Sequence, residues 1–316
     1  MHAMQHFSRE HIQHHFDHAA ATYDDAAILQ KQVAAHLDER LELVQIQPKT
    51  ILDVGAGTGI LTAKMRQRYP DSRLIAVDLS THMLAKAQLN LTQQCPPSFW
   101  QKTKKTLGIK ANAIEFIHAD ANNIPLDDGC ADMIVTNLML QWCDDLDTVF
   151  KEFRRLLKPE GLLMMTTFGP DTLKELRQAW AQVDEQQHIN TFIDMHDIGD
   201  ALIRNGFGQP VMDIEHFTLT YDKPIGVLKD LKAIGATSAH KNRQVGLMGK
   251  QHFTRMLEAY EAFRADEKIP ATYEVVHGHA WAAQEVFKGP DRDRSGLVEV
   301  SLESFKAQAF KSKNNL

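Results

Sequence analysis

Cysteine is scarce in this chain: three residues in 316, Cys95, Cys130 and Cys143, with no Cys-x-x-Cys pair among them. An odd count without clustering argues against a disulfide framework and against a structural zinc site, so reduced thiols are expected. Long apolar runs are missing too. The longest, Gly161 to Thr167 and Met133 to Leu140, fall far short of the roughly 18 residues that cross a bilayer, so no membrane span is expected. The opening residues, Met-His-Ala-Met-Gln-His, lack the apolar core of an export signal, which leaves the cytoplasm as the expected location. Nor is there an excess of positive charge. With 35 Lys and Arg against 41 Asp and Glu the net charge is −6, which is not the balance of a nucleic-acid binder. Internal repeats are absent.

What is present is an ordinary globular composition, 43% hydrophobic and 24% charged, long enough to bury a sizeable core. Helical patterns run from about His11 to Ala21 and from about Ala26 to Val44. Then strands and helices alternate. Thr50 to Val54, Arg73 to Val77, Ile114 to His118, Ala131 to Thr136 and Gly161 to Thr167 read as buried strands. Helices are expected at Thr58 to Tyr69, at Ser80 to Leu91 with Ser80 as N-cap, and at Leu146 to Leu157. Such alternation implies an α/β fold with a doubly wound, mostly parallel sheet. Two later strands, Val211 to Thr220 and Thr272 to Ala282, flank a helical insertion and should pair antiparallel at the sheet edge. The expected organisation is an N-terminal helical cap (1–45), a ligand-binding core (46–222), a helical lid (223–269), a final core strand (270–283) and a C-terminal extension (284–316). The polar stretch 92–112 reads as a surface insertion.

The chemistry begins at Leu52-Asp-Val-Gly55-Ala-Gly57-Thr-Gly59, a glycine-rich turn between the first strand and the first core helix. Its spacing departs from the G-x-G-x-x-G of dinucleotide sites. Asp53 at its entry would repel a pyrophosphate and suits instead the ammonium and sulfonium of S-adenosylmethionine. Asp78 ends the second strand, where a carboxylate can accept both ribose hydroxyls, and Asp120-Ala121 after the third can take an adenine amino group. Asn137 follows the fourth. With Gly55, Ala56, Gly57, Thr58, Gly59, Leu79 and Met83 they form the expected cofactor site, at the carboxyl ends of parallel strands.

Four further stretches carry a resemblance: Phe16-x-x-Ala19-Ala20-x-x-Tyr23-x-x-Ala26-x-x-x-Gln30, Asn137-Leu-Met-Leu-Gln141-Trp142-Cys143, Thr167-Phe-Gly169 and Leu231-Lys-Ala-Ile-Gly235-Ala-Thr237. With the glycine turn, they resemble the class I methyltransferases with a Rossmann-like fold, and within these the malonyl-acyl-carrier-protein O-methyltransferases of biotin synthesis. The resemblance implies S-adenosylmethionine as methyl donor, S-adenosylhomocysteine as product, and the free carboxylate of a malonyl group on acyl carrier protein as acceptor. It places the N-terminal helix over the cofactor. Tyr23, Gln141 and Trp142 are then the candidates for orienting the acceptor, Phe16, Phe168 and Thr237 for lining its path, and Lys232, near the Gly235-Ala-Thr237 turn, for holding the malonyl carboxylate or the thioester side by a charge-assisted bond. Lys223 to Arg255 holds seven basic residues against one acid, and its Lys241 and Arg243 are candidate carrier contacts. The insertion at 92–112 and the tail beyond Ala282 depart from the family pattern.

A malonyl carboxylate is ionised at neutral pH, since carboxyl groups titrate near roughly 4, so no general base is required. Aromatic walls and one cation are expected in place of a catalytic triad. Histidines at 11, 14, 15 and 18 give i,i+4 pairs, but with no Cys or carboxylate cluster a solvated face is the reading and no metal is expected. The chain is expected to act as a monomer. Alternatives are a methyltransferase with another small-molecule acceptor, and a relative acting as a hydroxylase or assembly factor for a respiratory complex.

Overall fold

The computed structural model describes residues 8–94, 113–236 and 250–284. Thr237, Lys241, Arg243, most of the 92–112 stretch and the tail from 285 lie outside the described residues.

Three helices come first: α1 (Arg9–Ala19), α2 (Tyr23–Ala26) and α3 (Ile28–Arg40). The Ser8 hydroxyl caps α1 by accepting from His11 N, leaving one less unsatisfied N–H in the first turn. β1 (Thr50–Val54), α4 (Ile60–Arg68), β2 (Arg73–Asp78), α5 (Thr81–Gln94), β3 (Ile114–His118) and β4 (Ala131–Asn137) follow. Next are α6 (Leu146–Leu156), β5 (Leu157–Phe168), α7 (Lys174–Ala181), α8 (Met195–Arg204) and β6 (Phe207–Tyr221). α9 (Pro224–Ala233), α10 (Lys250–Glu261) and β7 (Ile269–Ala282) complete the described chain.

The strands form one seven-stranded sheet in the order β3-β2-β1-β4-β5-β7-β6. The first five are mutually parallel, and β7 runs antiparallel to both of its neighbours. The antiparallel strand thus stands one place in from the edge, with β6 outside it. Burial follows position. Central β1 is buried at every residue, as helices on both faces require, whereas edge strand β6 alternates between more and less covered positions. In α6, Leu146, Val149, Phe150, Phe153 and Leu156 recur at helical spacing and face the sheet, and Asp145 caps the helix by accepting from Asp147 N.

Two helices stand where the sequence suggested none. α8 is capped by Asp194 and buries Ile198, Ala201 and Leu202, and α7 packs on α10 and β7. The chain leaves β1 outward to β2 and β3, then crosses back to β4 on the other side of β1. That reversal opens a crevice at the carboxyl ends of β1 and β4, where open α/β sheets bind ligands.

Candidate active site

The floor of the crevice is the turn from β1 into α4. Gly55 N and Ala56 N donate to Val77 O of β2 at 2.8 and 3.0 Å, which fixes the turn against the neighbouring strand. Gly55 has φ +75°, and a Cβ there would lie 2.4 Å from the Met139 side chain, so no larger residue fits. Gly57 has φ +54° and turns its N–H onto Asp78 Oδ2 at 2.8 Å. Ser80 N donates to the other Asp78 oxygen, also at 2.8 Å. Burial still outweighs these bonds and raises the Asp78 carboxyl above its ordinary range.

Asp53 lies behind the turn, 4% exposed, and does not line the cavity. Its Oδ2 accepts from the Thr62 hydroxyl at 2.5 Å, and its Oδ1 has no partner among the described residues. Burial, helped by the charge of Asp78, pushes its carboxyl up to about 7. A cation in the crevice would offset the charge of Asp78 and favour the ionised form. Such an uncompensated acid fits a positively charged ligand and opposes a pyrophosphate.

The far end is built on β3. Asp120 Oδ1 accepts from Asn122 N at 2.9 Å, and Oδ2 pairs with Arg9 Nη1 at 2.6 Å. Arg9 belongs to α1, which roofs the cavity. Ile12 and Phe16 of that helix pack on Leu79 and Trp142, and the Phe16 and Trp142 rings meet edge to face at 5.3 Å. Asp17 holds the roof down by accepting from the Ser80 hydroxyl at 2.5 Å, while Ser80 Oγ itself accepts from Met83 N. Tyr23 faces the cavity, and burial followed by the charges of Asp78 and Asp24 raises its phenol, which stays protonated at neutral pH. On the β4 side, Asn137 Nδ2 donates to Gln30 O at 3.1 Å and its Oδ1 accepts from the Thr166 hydroxyl. Gln141 Nε2 donates to Leu138 O at 2.6 Å and its Oε1 accepts from the Thr167 hydroxyl. Cys143 lines the wall with its thiol pushed up to about 12 by burial and then by Asp120 and Asp144, so it is no nucleophile.

The structure gathers Phe16, Tyr23, Gly55, Gly57, Asp78, Leu79, Met83, Asp120, Ala121, Asn137, Gln141, Trp142 and Phe168 around this one cavity. Ala56, Thr58 and Gly59 shape the turn behind it. Lys232 does not reach it: it stands exposed in the last turn of α9, whose following residues Ile234 and Ala236 are the ones that line the wall. Among the described lining residues the cation is Arg9 instead. Arg9, Ile12 and Asn122 carried no signal in the sequence, because roof and wall residues come from elements whose approach to the crevice only the packing decides. Among the described residues a three-member grouping of metal-ligand types occurs at Asp171, His216 and Glu274, none of which lines the cavity.

The family described as Methyltransferase domain matches residues 52–165. The malonyl-[acyl-carrier protein] O-methyltransferase of Gallionella capsiferriformans is 46% identical over 288 residues, 91% of this chain and 94% of that protein. That of Laribacter hongkongensis is 48% identical over 266 residues, 84% of this chain and 86% of its own length. Among solved structures, a putative methyltransferase from Bacillus halodurans superposes with a TM-score of 0.56 over 79% of this chain and 99% of its own. At 14% identity that likeness establishes the shared fold.

Proposed function

Because the chain belongs to the malonyl-[acyl-carrier protein] O-methyltransferase family, we propose that it methylates the free carboxylate of a malonyl group carried on acyl carrier protein, with S-adenosylmethionine as donor. The observation that carries this reading is the cavity itself. A glycine turn fixed on β2, Asp78 and Asp120 at the ends of adjacent strands, and a buried acid behind the turn with one oxygen unbonded among the described residues fit an adenosine bearing a cationic tail. When bound, S-adenosylmethionine supplies a methyl group on a sulfonium and is released as S-adenosylhomocysteine.

The protein's part is orientation and exclusion of water. Asp78 would hold the ribose hydroxyls and Asp120 the adenine amine. Tyr23, a neutral O–H donor, would orient the acceptor carboxylate in line with that methyl group. Phe16, Trp142 and Phe168 wall the path and strip water from the nucleophile. Asn137 and Gln141 spend their amides on the protein, so they stiffen the wall of the crevice. No base is needed, and the raised Tyr23 phenol and Cys143 thiol are unsuited to act as one at neutral pH.

Among the described residues no helix is long and apolar enough to cross a membrane. A malonyl thioester borne on a carrier protein fits a reaction in the cytoplasm, early in biotin assembly. The test is mass spectrometry of malonyl acyl carrier protein after incubation with enzyme and S-adenosylmethionine. A gain of one CH₂ is expected, and an unmodified carrier would overturn the assignment.

A further inference from the structure

Gln30 sits on the inner face of α3, 7% exposed, and lines the cavity beside Asn137. Its backbone carbonyl accepts from Asn137 Nδ2 at 3.1 Å, which fixes the main chain at the wall whatever the side chain does. Its carboxamide has no hydrogen-bond partner among the described residues, and neither polar atom of that group is sealed away from the cavity. A nearly buried amide left unpaired is costly in a folded protein, so its open donors and acceptor call for a ligand.

The ligand group follows from what the neighbours have already spent. The Asn137 and Gln141 amides are given to carbonyls, and Arg9 is paired with Asp120. Asp78, Asp120 and Asp144 line the cavity and repel anions. Yet the proposed reaction brings two carboxylates in, that of the acceptor and the α-carboxylate of the donor's methionine part. Tyr23 serves the first. Position assigns the second. Asp120 follows β3, Asp78 ends β2, the glycine turn follows β1 and Asn137 ends β4, so the crevice runs across three strand spacings, about 14 Å. A cofactor with adenine at Asp120 and ribose at Asp78 therefore delivers its amino-acid end to Asn137 and Gln30.

We infer that the Gln30 carboxamide recognises the α-carboxylate of S-adenosylmethionine. The inference rests on the cofactor reading above, and the test separates the two. Calorimetry is run on wild type, Gln30→Met and Gln30→Glu with S-adenosylhomocysteine and with 5′-S-(3-aminopropyl)-5′-thioadenosine, which keeps adenosine, sulfur and ammonium but lacks the carboxylate. Gln30→Met should bind S-adenosylhomocysteine about 10-fold more weakly, the scale of one hydrogen bond to a charged group, and Gln30→Glu more weakly still. The decarboxylated analogue should bind Gln30→Met as it binds wild type. Unchanged affinity for S-adenosylhomocysteine in both variants would overturn the inference. So would equal loss of both ligands in a variant of unaltered melting temperature, which means packing, or a raised KM for malonyl carrier alone, which means the amide serves the acceptor. A wild type that binds neither ligand would remove the cofactor reading itself.

Discussion

Asp53 and Asp78 show how much one position can mean before any ligand is considered. Asp78 was legible because an acid at the end of a second parallel strand has few other uses, and Asp78→Ala should weaken S-adenosylhomocysteine binding by about 2 to 4 kcal/mol, through two lost charged hydrogen bonds. Isothermal calorimetry on a variant whose circular dichroism matches wild type checks it. Asp53 was legible as an acid but not as a buried one. Its folded carboxyl, held near 7, binds a proton that the unfolded chain has released above about 4, so the folded state gains from Asp53 at low pH and loses that gain as pH rises to about 7. In ligand-free protein, Asp53→Asn should therefore become more stable relative to wild type between pH 5 and pH 8, and parallel melting curves across that range would contradict the burial argument. With cofactor saturating, the single-turnover rate should be flat from about pH 6 to about pH 8, because the acceptor is already ionised. A rise centred near roughly 7 would point to a histidine base and another acceptor.

Among the elements, α6 and the strands were written in their periodicity, whereas α7 was not. That helix has eight residues, starts from Leu173 at φ 55°, and turns Glu175 inward, where Thr272 N donates to it at 3.1 Å. A buried acid on the inner face erases the apolar stripe by which a helix is recognised. β6 begins four residues before the expected Val211 because a bulge at Gly208 to Val211, with Gln209 at φ 51°, breaks the alternation there. The roof helix α1 is a third case: its apolar face is legible, its destination is not. Phe16→Ala should cost the edge-to-face contact with Trp142, about 0.5 to 1.5 kcal/mol, and lower kcat/KM about 2- to 12-fold with little change in melting temperature. A change in melting temperature of many degrees would instead make α1 part of the folding core.

Over the whole molecule, the sequence carries its charge unevenly, −6 in total but strongly basic between Lys223 and Arg255. An acidic carrier protein should be drawn to that segment, so Lys241→Glu with Arg243→Glu should raise the KM for malonyl carrier protein, chiefly at low salt, and affect malonyl coenzyme A less. Equal effects on both substrates at two ionic strengths would assign the pair to the pocket.

The place of β7 also sets a schedule. Strands β1 to β5 lie before residue 169 and can pair as they are made, but β7, from Ile269, stands between β5 and β6. During synthesis β5 therefore waits with an open edge of Leu162, Leu163, Met164 and Met165 for about a hundred residues, and β6 has no partner at all. A chain stopped at residue 268 should aggregate where the full chain stays soluble, which sedimentation of the two expressed proteins would reveal. The strand that finishes the sheet is the last described part to leave the ribosome, so the nascent enzyme depends on reaching it before that edge finds another chain.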